Sequence, residues 1–123
     1  MIRGYANFVS YSNKSFSTED AYRIGKLHCY MKTWENASID FLLSGGFIIT
    51  KNIPKVKQET LIIWGEEDQI LSLDNAYKFQ EILPNNRLSL IKKSGHVPHI
   101  EKVDEVDEAI NAFLSKKEFN SVS

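Results

Sequence analysis

The spacing of apolar residues changes near residue 60 and divides the 123-residue chain into two parts. In the first part, Ala21, Ile24, His28 and Met31 follow one another at helical spacing. The second part has two short apolar runs, 61–64 and 87–92, and each leads into a turn that contains glycine. The pattern predicts helices before residue 60, and strands that alternate with helices after it.

In the first part, the pattern predicts two helices after an irregular lead-in. Residues 1–16 are polar and carry no clear period, so we expect no regular element there. A helix over 18–31 follows a capping-box pattern in which Ser17 is the cap and Asp20 returns the contact. A second helix is predicted over 35–43. It ends at Gly45 and Gly46, because glycine adopts the left-handed conformation that closes a helix.

In the second part, strand, helix, strand and helix form a βαβα unit of the α/β class. The run 61–64 is apolar throughout, which is typical of a strand that is covered on both faces. Helices are predicted over 73–83 and 103–114, with apolar stripes on one face. The two strands should be parallel, with a right-handed connection, since a helix separates them. Two strands alone make a poor sheet, so further strands are expected beside them.

Composition narrows the classes of partner. A net charge of -1 provides no excess of Lys and Arg for a nucleic acid or an anionic membrane. No stretch approaches the ~20 apolar residues of a membrane-spanning helix, and the N-terminus does not have the pattern of a signal peptide. Cys29 is the only cysteine, so no intrachain disulfide can form. We expect a soluble cytoplasmic protein with a small-molecule substrate and no cofactor.

The candidate chemistry lies at the ends of the two predicted strands. Asp68 and His96 each follow the last strand residue by four positions, and functional groups of parallel sheets gather at that edge. If the two side chains meet, the carboxylate can orient the imidazole, which then acts as a general base. Alternatively, Asp68 caps the following helix and His96 is an ordinary turn residue. Spacing alone does not decide between these readings.

Neighbouring residues offer weaker alternatives. Glu66 and Glu67 are carboxylates that could replace Asp68 as the orienting group. His96 and His99 have a spacing that could suit a metal, but Pro98 is unfavourable inside a regular helix and no third ligand is near in sequence. The sequence therefore predicts no metal site.

Two motifs resemble the C-terminal part of the α/β-hydrolase superfamily. They are W-G-x-x-D at 64–68 and G-H-x-x-x-x-E at 95–101. Residues 54–114 resemble the family core tightly, and 18–46 resemble its helical lid more loosely. The resemblance implies a partial α/β-hydrolase fold, consisting of the last two parallel strands with their flanking helices and a lid segment. It divides the chain into a lead-in and lid (1–50), a core part (51–117) and a frayed tail (118–123).

The resemblance also implies a hydrolase in which Asp68 is the triad acid and His96 the triad histidine. We expect Ile70 and Val97, which lie beside the two turns, to contact the substrate. That substrate would be a small ester, epoxide, haloalkane or similar apolar molecule, and the lid favours the epoxide hydrolase and dehalogenase branch. Ser72 and Val103 stand where family members often have proline, which affects the turn and the helix start more than the chemistry.

The nucleophile of such a hydrolase is not found in the sequence. Neither G-x-S-x-G nor G-x-D-x-G occurs in it. We therefore expect a fragment, from a truncated or incompletely predicted gene, that is inactive by itself. The alternative is a non-catalytic interaction module. Its partner would be the missing N-terminal half, or a second copy that binds through an exposed strand edge.

Overall fold

The computed structural model describes residues 2–46 and 50–120, which form six α-helices and two β-strands. In chain order these elements are α1 (Ile2–Ser10), α2 (Glu19–Lys26), α3 (Trp34–Leu43), β1 (Thr60–Gly65), α4 (Leu73–Ile82), β2 (Asn86–Ile91), α5 (Pro98–Glu101) and α6 (Val103–Asn120). Short 3-10 turns occur at Lys14–Phe16, Leu27–Tyr30 and Ile53–Lys55. No helix among the described residues is long and apolar enough to cross a membrane.

The two strands are parallel and end level with each other. Their register pairs Thr60 with Asn86 at one end and Gly65 with Ile91 at the other. Helix α4 connects them, so the predicted βαβ order and the α/β fold class are confirmed. The buried apolar side chains of this part come from both strands and from the helices that pack on them: Ile62, Ala76, Leu83, Ile91 and Val106.

The lead-in is a helix and not the irregular segment that the sequence predicted. Its apolar residues, Ile2, Tyr5, Ala6 and Val9, have the i, i+3, i+4, i+7 spacing of an amphipathic helix. Polar residues between them hid this short period. Val9 and the following Tyr11 are buried, so the segment is packed against the rest of the chain.

The first predicted lid helix is shorter than expected and begins one residue later. The hydroxyl of Thr18, and not that of Ser17, caps it by accepting a hydrogen bond from the backbone N–H of Ala21 at 3.1 Å. The helix ends at Lys26 and continues as a 3-10 turn, where a single helix to residue 31 was predicted. Its expected inward face is largely uncovered, since Ile24 and Met31 are exposed. The His28 side chain lies outside the described part.

The second predicted helix agrees with its prediction. Helix α3 covers Trp34–Leu43, and Gly45 and Gly46 follow it with φ angles of 98° and 60°. The backbone N–H of Gly46 donates to the carbonyl of Phe41 at 2.9 Å, which closes the end of the helix. The glycine stop read from the sequence is therefore the observed one.

The closing part of the chain has one helix that the sequence did not predict and another that is longer than expected. The short helix α5 lies directly after His96, and α6 runs to residue 120 where the pattern ended near 114. Of the predicted apolar face of α6, Val106 is buried, while Val103, Ile110 and Leu114 are exposed. The least exposed positions of α6 after residue 103 are Val106, Ala109 and Phe113. The pattern therefore identified Val106 and Phe113, but the other three residues of the predicted face are exposed.

Candidate active site

The acid turn begins where β1 ends. Its first residue, Glu66, donates its backbone N–H to the carbonyl of Ile91 at the end of β2, at 3.0 Å. The N–H of Asp68 then donates to the carbonyl of Gly65 at 3.3 Å, which closes a tight turn. The turn is therefore attached to both strands, and it presents Asp68 at their carboxyl edge.

Asp68 and His96 are in direct contact. Asp68 Oδ2 lies 2.8 Å from His96 Nδ1, although the residues are 28 positions apart in sequence. The Asp68 side chain is only 5% exposed, whereas that of His96 is 36% exposed. The structure therefore brings the two predicted residues together, with a shielded carboxylate behind an accessible imidazole.

The second oxygen of Asp68 fixes the orientation of the carboxylate. Oδ1 accepts hydrogen bonds from the backbone N–H groups of Ile70, at 2.8 Å, and Leu71, at 3.0 Å. Helix α4 has its own cap, because the Ser72 hydroxyl accepts from the N–H of Asp74 at 3.3 Å. Asp68 thus holds its own turn with one oxygen and the imidazole with the other, and the helix-cap alternative does not describe it.

The neighbouring carboxylate Glu67 has a different partner. Its Oε2 accepts a hydrogen bond from the hydroxyl of Ser12, and its backbone N–H donates to the carbonyl of Ser94 at 2.9 Å. Glu67 therefore joins the lead-in to the acid turn, while Asp68 contacts the imidazole.

The loop that carries His96 is held from two sides. The backbone N–H of His96 donates to the carbonyl of Ser10 at 2.7 Å. The N–H of Gly95 donates to Glu101 Oε2 at 2.6 Å. Sequence reasoning did not assign roles to Ser10 or Glu101. The signal for Glu101 was present, since it is the last residue of the G-H-x-x-x-x-E motif.

A cavity of about 180 Å³ lies beside the pair. Its lining includes Leu71 and Pro98, which adjoin in sequence the expected substrate contacts Ile70 and Val97. Ile70 itself is exposed and Val97 is half-buried at the start of α5. Apolar walls therefore stand next to the imidazole.

The spacing of His96 and His99 made a metal site an alternative. In the described part of the chain, no three His, Cys, Asp or Glu side chains are grouped closely enough to hold an ion. His99 lies in α5, and Nδ1 of His96 is engaged with Asp68. What remains for chemistry on His96 is Nε2.

A family model and individual known proteins match this chain. The family model for the α/β hydrolase fold matches residues 6–103. The α/β-hydrolase domain-containing protein VTE7 of Arabidopsis thaliana is 35% identical over 117 residues, which is 94% of this chain and 36% of that protein. Lipase 1 of Psychrobacter immobilis is 34% identical over 65 residues, covering 53% of this chain and 20% of the lipase.

Solved structures show the same fold. A serine hydrolase involved in carbazole degradation superposes with a TM-score of 0.62 at 26% identity, over 83% of this chain and 37% of that one. An esterase from Exiguobacterium antarcticum gives a TM-score of 0.73 at 16% identity, over 93% of this chain and 42% of the esterase. The chain spans only about a third of the length of the Arabidopsis relative.

Proposed function

Because this chain belongs to the α/β-hydrolase family, we propose that it supplies the acid and the histidine of a catalytic triad that hydrolyses a carboxylic ester. The observation that carries the proposal is the 2.8 Å contact between Asp68 Oδ2 and His96 Nδ1. An ester is favoured over an epoxide or a haloalkane because matched relatives with named activities include Lipase 1 and a monoacylglycerol lipase. We favour serine over aspartate as the nucleophile because the matched enzyme of carbazole degradation is a serine hydrolase.

In this proposal the two residues have separate roles. Asp68 keeps a proton on Nδ1 of His96, so that Nε2 carries a lone pair and can act as a base. The buried carboxylate also stabilises the imidazolium that forms when Nε2 accepts a proton. The backbone bonds to Oδ1 support this role, because they prevent the carboxylate from rotating away.

The nucleophile is a serine outside these 123 residues, placed within hydrogen-bond reach of His96 Nε2. Its hydroxyl gives a proton to Nε2 while its oxygen forms a bond to the ester carbon. The imidazolium then protonates the leaving alcohol, and an acyl-enzyme remains. Water repeats the sequence: it gives a proton to Nε2, attacks the acyl carbon and releases the acid, and the serine recovers its proton.

The cavity beside the pair suits the part of the substrate next to the ester bond. Ile63, Leu71 and Pro98 line it with apolar atoms, which suit an apolar part of the substrate. Its volume, about 180 Å³, is below the roughly 300–1,000 Å³ of pockets for complete small ligands. The rest of the substrate site therefore belongs to the segment that supplies the serine.

The test uses this chain joined to the coding sequence upstream of it. We expect turnover of p-nitrophenyl esters to fall by about 10³–10⁴-fold or more in His96→Ala and in Asp68→Asn. The matched control is His99→Ala, which removes an imidazole three positions away and should keep turnover near the original value. Equal activity in the joined protein and its His96→Ala variant would contradict the proposal.

A second candidate is a non-catalytic interaction module. It is favoured by the exposure of Leu42 (72%) and Leu43 (80%) at the end of α3, since an isolated domain rarely leaves adjacent apolar side chains so open. Both candidates predict that the 123-residue chain alone shows no ester turnover above its own His96→Ala variant. The association behaviour of the chain is therefore the property that tests the second candidate.

A further inference from the structure

Glu101 connects two segments that are far apart in sequence. Its Oε2 accepts from the backbone N–H of Gly95 at 2.6 Å and from the hydroxyl of Ser94 at 3.4 Å. Its Oε1 accepts from the backbone N–H of Asn13 at 2.8 Å, across 88 positions of sequence. Both oxygens of one carboxylate are therefore occupied, one by the histidine loop and one by the lead-in.

The lead-in also contacts the histidine loop directly. The carbonyl oxygen of Ser10 accepts a hydrogen bond from the backbone N–H of His96 at 2.7 Å. A Cβ on Gly95 would lie 2.5 Å from the same oxygen. Gly95 is thus confined between the lead-in and the Glu101 carboxylate. These contacts hold the backbone of residues 95 and 96 on both sides. They therefore fix the position of the His96 Cα atom, from which the side chain extends.

From these contacts we infer that Glu101 is a positioning residue for His96, acting through Gly95 and through the lead-in at Asn13. This inference rests on the proposed function of His96. A charged carboxylate forms stronger hydrogen bonds than a neutral amide, and its two oxygens set the distance between the two segments. Glu101 does not touch the reacting atoms: it keeps Nδ1 of the imidazole against Asp68.

The test reads the tautomer of His96 by nitrogen-15 NMR of the imidazole at a pH where the ring is neutral. In the original chain the Nδ1–H form should predominate, because Asp68 accepts that proton. In Glu101→Gln the amide keeps one acceptor oxygen but turns an NH₂ group toward one of the two N–H donors. We expect the Nδ1–H form to lose its majority there, although the chain remains folded.

The matched control is Glu105→Gln, which makes the same change of charge on α6. Glu105 lies 3.7 Å from Lys102 at the surface, and the tautomer ratio should not change. If Glu101 had only a structural role, the substitution would lower stability, but the molecules that remain folded would keep the original tautomer ratio of His96. The ratio therefore separates positioning from a purely structural role.

A second pair of variants tests the contact from the other side, without altering Glu101. Asn13→Pro removes the backbone N–H that donates a hydrogen bond to Glu101. The φ of Asn13, -82°, is close to the value that proline requires, so the backbone can keep its conformation. Asn13→Ala keeps this N–H and loses only the side-chain cap on Ser15. We expect the tautomer ratio to change in the proline variant and not in the alanine variant.

The outcomes distinguish the two proposals. If the original chain already has mainly the Nε2–H form, the Asp68 contact does not control the imidazole, and both proposals are overturned. If it has the Nδ1–H form and neither Glu101→Gln nor Asn13→Pro changes the ratio, the positioning role is overturned while the acid–histidine pair stands.

Discussion

Gly65 and Gly95 meet backbone to backbone where the acid turn faces the histidine loop. A Cβ on Gly65 would lie 2.1 Å from the Gly95 carbonyl oxygen and 2.4 Å from that of Ser94. The neighbours are backbone atoms, so no side chain could move aside. The absence of a side chain at residue 65 is therefore what allows Asp68 and His96 to approach.

We predict that Gly65→Ala lowers the free energy of unfolding by about 1–3 kcal/mol, the usual cost of overpacking, since the histidine loop must shift to admit a methyl group. Chemical denaturation of the two proteins measures the difference. The shift should also separate His96 from Asp68, so the Nδ1–H tautomer of His96 should become less populated.

The control for this variant is Gly25→Ala in α2. A Cβ there would meet no atom within 4 Å, and alanine favours a helix over glycine by up to ~1 kcal/mol. Stability should be unchanged or higher. Equal destabilisation at residues 25 and 65 would show that the close approach of the two turns is not what requires glycine.

Asp68 has two tasks that substitutions can separate. Asp68→Asn keeps an acceptor for the N–H groups of Ile70 and Leu71 and changes only the group that faces His96. Asp68→Ala removes both, and it leaves two backbone donors without their carboxylate. We predict a loss of about 1 kcal/mol or less for the asparagine variant and about 2–3 kcal/mol for alanine. Denaturant unfolding tests this, and equal losses would contradict the division of labour.

Local patterns predicted the parts of the site that a few neighbouring residues determine. The apolar run of β1, the turn after it and helix α4 follow from residues within a short window, and the strands agree with prediction to within a residue or two. Asp68 was located because strand ends meet at one edge of a parallel sheet. The same register was enough to predict that His96 would lie beside it.

Other features depend on contacts across the whole chain. The bond between Asn13 and Glu101 spans 88 positions, and no local pattern reveals it. Helix α1 was overlooked because polar residues separate its apolar ones. In α2, the periodicity correctly indicated a helix, but it could not show that Ile24 would be exposed, since burial depends on what packs against the face.

Lys93 is a left-handed residue immediately before the histidine loop. Its φ is 52°, a conformation that costs a side-chain-bearing residue roughly 1–2 kcal/mol. Glycine removes this cost but loses about 0.5–1 kcal/mol in backbone entropy on folding. We therefore predict that Lys93→Gly raises the free energy of unfolding by about 0.5–1 kcal/mol. The adjacent Lys92 does not have a positive φ, so Lys92→Gly should lower stability by about 0.5–1 kcal/mol. Thermal and chemical unfolding should give opposite signs, and the same sign for both would contradict this account of the turn.

The exposed apolar side chains of residues 24–43 predict self-association of the chain. Leu42 and Leu43 lie at the end of α3, and Ile24, Leu27 and Met31 in the preceding helical segment are exposed as well. Several large apolar side chains exposed within one segment suggest that another polypeptide covers part of it. We expect light scattering after size-exclusion chromatography to give an apparent mass that rises with protein concentration.

Charge substitutions identify the surface that is responsible. Leu42→Lys combined with Leu43→Lys should shift the chain toward monomer, because a lysine ammonium group is costly to bury in an apolar contact. Val103→Lys alters an exposed apolar residue of α6, the helix that packs on the sheet. If Leu42 and Leu43 mediate association, Val103→Lys leaves the mass unchanged. If Val103→Lys gives a monomer and the double leucine variant does not, association occurs on the sheet side. If the unsubstituted chain is a monomer at every concentration, the interaction module is removed as a candidate.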